Sequence, residues 1–142
     1  MPASISLITL TVADIDKATR FYEALGFETS KRASQDDVTF MQAGSVVLAL
    51  WGRQAQLEDA NAEAIWTGNG GIVVARNLAS EAEVDSAMAQ AKAAGARMLK
   101  PAAKTFWGGY NGYFADPNGH VWEIAFNPFW QLDEQGLVKL PE

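Results

Sequence analysis

Apolar and polar positions in the first third of the chain predict a strand, a helix and three more strands. Residues 5–12 (ISLITLTV) alternate apolar and hydroxyl side chains, which is typical of a half-buried strand. Asp14 is a suitable helix N-cap, and Gly26 suits the position just past the helix end. Between them, apolar residues at spacings of three and four form one helix face: Ile15, Ala18, Phe21, Tyr22 and Leu25. The strands that follow are predicted at 27–32, 37–42 and 45–51.

A polar, alanine-rich segment, 52–69, interrupts this pattern, and we interpret it as a linker with one short helix. The same order of elements then returns. GIVVA (71–75) is a predicted strand, Ser80 and Glu83 form a capping box that begins a helix, and Gly95 closes that helix. Three more strands are predicted, of which the last two form a hairpin across an Asp-Pro-Asn-Gly turn: 97–100 (ended by Pro101), 111–116 and 119–126.

The repeated order of elements predicts an internal duplication. Gly26 and Gly95 lie 69 residues apart, and the final strands of the two halves, 44–51 and 119–126, lie 75 residues apart. The similarity is one of element order rather than of letters. An ordinary α+β sandwich without true repeats stays open as the alternative.

Composition narrows the class of protein. The 142 residues are 49% hydrophobic, which is enough for one domain with a real core, and the net charge of −6 disfavours a nucleic-acid partner. There are no cysteines, so disulfides and thiolate metal sites are excluded. The N-terminal segment has no basic start, and no apolar stretch approaches a membrane span. We therefore expect a cytoplasmic protein with no membrane partner.

Three segments resemble the vicinal oxygen chelate superfamily, which includes glyoxalase I, bleomycin-resistance proteins and extradiol dioxygenases. They are DIDKATRFYEALGF (14–27), SEAEVDSAMAQAKAAGA (80–96) and GYFADPNGHVWEIAFNP (112–128). The resemblance covers about residues 4–128, and FWGGYNGYF is similar to an uncharacterised glyoxalase-like branch. It implies an α+β fold in which two βαβββ modules form an open, half-barrel mixed sheet around a pocket, with the helices outside.

This resemblance, together with the pattern of elements, sets the expected domain boundaries. Residues 1–128 form a single glyoxalase-like domain, with module one at 4–51, the linker at 52–69 and module two at 70–127. The tail, 129–142, is rich in apolar residues, and we expect it to pack on the domain or on a second subunit. Because modules of this family often pair across chains, we expect a homodimer.

The family's enzymes hold one divalent metal with ligands from the first and last strand of each module, and the sequence lacks most of them. Glu123 matches the family's glutamate ligand. The other positions fall on Leu7, on Leu48 (or Ala49 or Leu50) and near Gly71, and the windows 4–11, 44–51 and 68–76 contain no His, Asp, Glu or Gln. One carboxylate does not hold Zn²⁺, Ni²⁺ or Fe²⁺ tightly. The sequence therefore predicts no metal and no cofactor.

Without a metal, Glu123 is a candidate general base or an acceptor for a ligand's N–H or O–H group. The alternative is a structural salt bridge to Arg76, Arg97 or Lys104. His120 is the only histidine, and its place just after the turn glycine favours a hydrogen bond to the turn over catalysis.

Aromatic residues around two glycines, in FWGGYNGY, suggest a wall for a flat ligand. The candidate ligand-binding residues, besides Glu123, are Trp51, Phe106, Trp107, Tyr110 and Tyr113. Trp66 and Trp130 are further candidates for walls or a lid. The alternative is that these rings belong to the core. Trp122 is expected on the opposite side of its strand from Glu123, facing a helix.

Three functions remain open, in this order. The first is a metal-free protein of the bleomycin-resistance type that binds a small, partly aromatic organic molecule. The second is a lyase, isomerase or dioxygenase-type enzyme that uses Glu123 as a general base or metal ligand, since a fold alone does not fix function. The third is a non-catalytic domain whose pocket is filled by side chains such as Leu7 and Leu48.

Overall fold

The computed structural model describes residues 5–60 and 72–141, and for residue 60 only the backbone. The chain divides into two compact units, Met1–Gly68 and Asn69–Glu142. The described residues contain three helices and two four-stranded mixed sheets, which is an α+β fold. The expected fold class is therefore confirmed.

The first unit forms a sheet with the strand order β1-β4-β3-β2, in which β1 pairs with β4 in parallel and the other pairs are antiparallel. Its elements are β1 (Leu7–Val12), α1 (Ile15–Ala24), β2 (Glu28–Thr29), β3 (Val38–Ala43), β4 (Val46–Gly52) and α2 (Arg53–Ala60). Helix α2 is the short helix predicted in the linker. The remainder of that linker, including Trp66, lies outside the described residues.

The second unit repeats this arrangement with the order β5-β8-β7-β6 and one parallel pair, β5 with β8. Its elements are β5 (Val74–Leu78), α3 (Glu81–Ala93), β6 (Arg97–Lys104), β7 (Tyr110–Ala115), β8 (Val121–Phe126) and a small terminal hairpin of β9 (Gln131–Leu132) and β10 (Val138–Lys139). Each unit therefore has the predicted βαβββ order.

The helix ends follow the predicted local chemistry. The Asp14 side chain accepts a hydrogen bond from the backbone N–H of Lys17, and Ser80 accepts one from the N–H of Glu83. The Glu83 carboxylate in turn accepts from the N–H of Ala79, one residue before the N-cap, so the capping is reciprocal but displaced by one residue.

The helix-facing sides of the sheets form the two cores. In the first unit, Tyr22 on α1 and Leu50 on β4 are fully buried. In the second, Val84 on α3 is fully buried, and Phe114 and Trp122 stack with ring centroids 6.3 Å apart. Trp122 therefore faces the helix, as the sequence predicts.

Three predicted strands have a boundary that was wrong by three residues or more. The strand predicted at 27–32 is only Glu28–Thr29, and the strand predicted at 71–75 begins at Val74, with Gly71 outside the described residues. Pro101 does not end its strand, because β6 continues to Lys104. Strand β6 is at the edge of its sheet, where the backbone N–H that Pro101 lacks is not needed for a hydrogen bond to a neighbouring strand.

Candidate functional site on the second sheet

Helix α3 covers one face of the second sheet, and this fixes which side chains lie on the other. A Cβ added to Gly112 would meet the Met88 side chain of α3 at 2.8 Å, so Gly112 faces the helix. Successive strand residues alternate between faces, so Asn111 and Tyr113 point away from α3. Glu123 pairs directly with Tyr113 across β7 and β8 and shares its face.

Glu123 has two polar neighbours on this face, Asn111 and Tyr113. The Asn111 side-chain Nδ2 donates to Glu123 Oε2 at 2.8 Å, and Asn111 is buried. The Tyr113 hydroxyl interacts with the same carboxylate. Burial, followed by the negative charge of Glu123 and its hydrogen bond, raises the pKa of Tyr113 above 10.0. The hydroxyl is therefore protonated at neutral pH and available as a donor to Glu123.

Lys100 completes the network from strand β6. Its Nζ donates to Asn111 Oδ1 at 2.6 Å and lies 3.4 Å from the Asn111 backbone oxygen. An ammonium group only donates and a carboxylate only accepts, so the Asn111 amide has one orientation that satisfies both. The Asn111 amide therefore lies between the Lys100 ammonium and the Glu123 carboxylate and is hydrogen-bonded to both.

Two irregularities in β6 aim Lys100 at this face. The register between β6 and β7 shifts between Met98 and Lys100, and again between Lys100 and Ala103. Met98 pairs with Phe114, a residue of the helix face. Lys100 comes two residues after Met98, so in a regular ladder it would also lie on the helix face. Because the register shifts, Lys100 pairs instead with Tyr113, on the Glu123 face.

The network makes the Glu123 carboxylate a fixed acceptor with unused capacity. A carboxylate accepts about four hydrogen bonds, and Asn111 supplies one donor at 2.8 Å. Glu123 is half-buried, so part of it is accessible. Its direct partner on β5 is Ala75, a small side chain. This arrangement can accept a proton or a hydrogen bond from a bound molecule.

The predicted aromatic residues do not all join Glu123. Tyr113 lies beside it, but Tyr110 is on the helix face, where its hydroxyl donates to Asp85 Oδ1 at 2.6 Å. That hydrogen bond is the largest cause of a raised pKa for Tyr110, ahead of desolvation and the charge of Asp85. Phe106 is fully exposed at 102%, and the Trp107 ring folds back over Gly109 so closely that a Cβ there would collide with it.

Trp51 belongs to the first sheet. The hydroxyls of Thr19 on α1 and Thr39 on β3 lie 2.8 Å apart, so Thr39 and its partner Leu50 face α1. Trp51, one residue on, faces away from that helix. Its indole Nε1 is buried and has no acceptor among the residues that the structure describes.

The residues at the family's metal positions do not fit a transition metal. Leu48 faces α1, and the position of the first sheet that corresponds to Glu123 is Ala49, which pairs with Thr9 on β1. On the second sheet, the partner of Glu123 is Ala75. Within 5–60 and 72–141, no three His, Asp or Glu side chains come together. A metal of this kind takes three or more protein ligands, and these positions offer one carboxylate.

His120 belongs to the turn between β7 and β8. Its backbone N–H and that of Asn118 both donate to Asp116 Oδ1 at 2.8 Å, and its carbonyl accepts from the N–H of Asp116. These hydrogen bonds involve the backbone of His120 and make the residue part of the turn.

Sequence reasoning missed Lys100 and Asn111. It also offered Arg76 as an ionic partner of Glu123, whereas Arg76 pairs with Ile124 on the helix face. Asn111 could have been found, because its spacing of two from Tyr113 places both on one face of a strand. Lys100 could not, because the bulge that turns it has no clear signal except the nearby Pro101.

The sequence matches the Glyoxalase/Bleomycin resistance protein/Dioxygenase superfamily over residues 4–124, and the chain belongs to this superfamily. A glyoxalase-related enzyme from Fulvimarina pelagi is 36% identical, with 98% of this chain and 99% of that chain covered and a TM-score of 0.89. No functionally curated protein matches the sequence significantly.

Two more distant structures share the fold. Lactoylglutathione lyase from Agrobacterium tumefaciens is 24% identical over 92% of this chain and 98% of that chain, with a TM-score of 0.69. The fosfomycin resistance protein FosX from Mesorhizobium loti is 19% identical over 89% and 94%, with a TM-score of 0.67. Among the described residues, no helix is long and apolar enough to cross a membrane.

Proposed function

We propose that this protein binds a small, partly aromatic organic molecule on the Glu123 face of the second sheet, without a metal. The observation that carries the proposal is the Glu123 carboxylate, which accepts a hydrogen bond from Asn111 and lies beside Tyr113 while part of it stays accessible. Proteins of this superfamily typically bind small molecules. The Tyr113 ring supplies the aromatic surface beside the acceptor.

A metal-independent lyase or isomerase is the second candidate. The position of Glu123 favours it, because a carboxylate fixed by donors and open on one side can act as a general base. The relative from Fulvimarina pelagi is described as a glyoxalase-related enzyme, which points the same way.

The binding proposal is tested by titrating a panel of small aromatic fragments into ¹⁵N-labelled protein. We expect shifts at the backbone amides of Asn111, Tyr113 and Glu123, and a loss of affinity for N–H and O–H donor fragments in Glu123→Gln. Tyr110→Phe is the matched control, because Tyr110 lies on the other face. The proposal is wrong if no fragment binds, or if every fragment binds elsewhere.

Elemental analysis after soaking in Zn²⁺, Ni²⁺, Mn²⁺ and Fe²⁺ and desalting tests the metal-free part. We expect no retained metal. Near-stoichiometric metal that Glu123→Gln abolishes would overturn it. The enzyme candidate is tested by turnover of adducts of small dicarbonyl compounds with thiols. Activity that is lost in Glu123→Gln and kept in Tyr110→Phe would place the enzyme ahead of the binding protein.

We further propose a cytoplasmic homodimer in which the tail takes part. The Phe129 ring lies against Gly108, 3.1 Å from where a Cβ would be, yet Phe129 is 65% and Leu140 62% exposed within the chain. Apolar side chains left this open are typical of a surface that another chain covers. Deleting 129–142 is expected to shift the sedimentation coefficient to that of a monomer, and an unchanged value would contradict the proposal.

A further inference from the structure

Resting on the proposed function, we propose that Lys100 is a second recognition group and that the ligand carries two unlike ends. One end is an anionic group that Lys100 binds, and the other is an N–H or O–H donor that Glu123 accepts. The ligand class is therefore a small aromatic molecule with a carboxylate-like group and a donor on opposite sides, such as a hydroxylated aromatic acid.

The separation of the two groups suits a single ring. Lys100 Nζ lies 2.6 Å from Asn111 Oδ1, and Glu123 Oε2 lies 2.8 Å from Asn111 Nδ2. Since the O and N atoms of one amide are about 2.3 Å apart, the ammonium and the carboxylate are at most about 8 Å apart. A benzene ring with an oxygen at each end spans about 6 Å from oxygen to oxygen, so such a ring would lie across the Asn111 amide with one end over each group.

Both groups keep capacity for a ligand. A lysine ammonium has three N–H donors, and two are directed at Asn111 Oδ1 and its backbone oxygen. The Lys100 side chain is exposed, so its remaining donor is accessible to a small molecule. An anion beside this ammonium gains a charge-assisted hydrogen bond, which is stronger than a neutral one.

The surrounding charge favours an anion at this end of the face. The whole chain has a net charge of −6 and only 11 Lys and Arg residues. Two of them, Arg97 and Lys100, lie on β6 and pair with Ala115 and Tyr113 of the Glu123 face. This end of the face therefore carries two cations of an otherwise acidic protein, which favours the binding of an anion.

A purely structural role for Lys100, joining β6 to β7 through Asn111, is the alternative. Three probes of the same size separate the two: 4-hydroxybenzoate has both ends, 4-hydroxybenzamide lacks the anion, and 4-methoxybenzoate lacks the donor. Their dissociation constants are measured by calorimetry for the full chain, Lys100→Met, Lys100→Arg and Lys104→Met. Lys104 is the matched control, because it pairs with Tyr110 of the helix face.

We expect Lys100→Met to weaken 4-hydroxybenzoate about 10-fold or more, as for a lost hydrogen bond to a charged group. It should leave 4-hydroxybenzamide unchanged, Lys100→Arg should retain most of the affinity, and Lys104→Met should alter neither probe. An equal loss for both hydroxyl probes would assign Lys100 a structural role and overturn the inference. Binding of other aromatic fragments, but of none of these three, would also overturn it while the proposed function stands. If no aromatic fragment binds at all, both fail.

Discussion

The two sheets share their strand order and helix packing but differ on the faces turned away from the helices. When residues are counted from the turn of each hairpin, β3 corresponds to β7 and β4 corresponds to β8. Three pairs of corresponding positions lie on the faces turned away from the helices. The first sheet has Val38, Phe40 and Ala49 there, and the second has Asn111, Tyr113 and Glu123. At these three positions the first unit therefore carries apolar side chains, whereas the second carries a hydrogen-bonded polar network.

This difference separates the residues that hold the fold from those that form the candidate site. Leu48 and Trp122 are both buried against a helix, so the core positions of the helix-facing sides are apolar in both units. A buried polar group such as Asn111 is tolerated only if its partners are present. The polar face is thus acceptable as a complete network, and nothing in the packing of α3 requires it.

The largest effect on stability is expected from substitutions on the helix-facing sides, where the two sheets are similar. Trp122→Ala should reduce the free energy of unfolding by about 3–5 kcal/mol and Leu48→Ala by about 2–5 kcal/mol, because each leaves a cavity under a helix. Urea denaturation followed by circular dichroism measures both. A loss below about 1 kcal/mol for either would mean that its side chain is not packed as described.

The next largest effect on stability is expected when residues of the polar face of the second sheet are replaced by their counterparts in the first sheet. Asn111→Val alone should cost about 1–3 kcal/mol, since it leaves Lys100 and Glu123 without a partner they had. The triple variant Asn111→Val, Tyr113→Phe, Glu123→Ala removes the acceptor as well, so it should be at least as stable as the single variant. Denaturation curves of the two variants test this.

The triple variant should also lose binding of the aromatic fragments. If it is clearly less stable than Asn111→Val, then the polar face contributes more to the fold than to a site. If it is stable but still binds donor fragments, the network is not the binding site.

The sequence allowed the prediction of most of the fold because helix caps, closing glycines and apolar spacing act locally. Gly26 and Gly95 have φ values of 100° and 109°, the left-handed conformation expected just past a helix end. The site was harder. Tyr113 and Glu123 were named, but Lys100 depends on a bulge that only pairing reveals. A uniform spacing of 75 pointed to Leu48, whereas the hairpins differ by one residue and the true counterpart of Glu123 is Ala49.

The smallest effect sharpens the comparison between Tyr113 and its counterpart Phe40. The pKa of Tyr113 is raised in the folded protein by burial and by Glu123. A raised pKa of an acid means that the stabilisation is fully present below the unfolded value of 10.0 and is lost as the pH rises through the folded value. The free energy of unfolding should therefore fall above pH 10, and less steeply in Tyr113→Phe.

Tyr110 provides the control, because its pKa is also raised but by Asp85 on the other face. As the pH rises, the near-ultraviolet absorbance of tyrosinate should show tyrosines that ionise above the ordinary pKa of 10.0. Tyr110→Phe and Tyr113→Phe should each lack one of them. Glu123→Gln should bring the Tyr113 titration to lower pH by removing a negative neighbour, and should leave that of Tyr110 in place. A Tyr113 titration that ignores Glu123→Gln would contradict the hydroxyl–carboxylate contact on which the difference between the two faces depends.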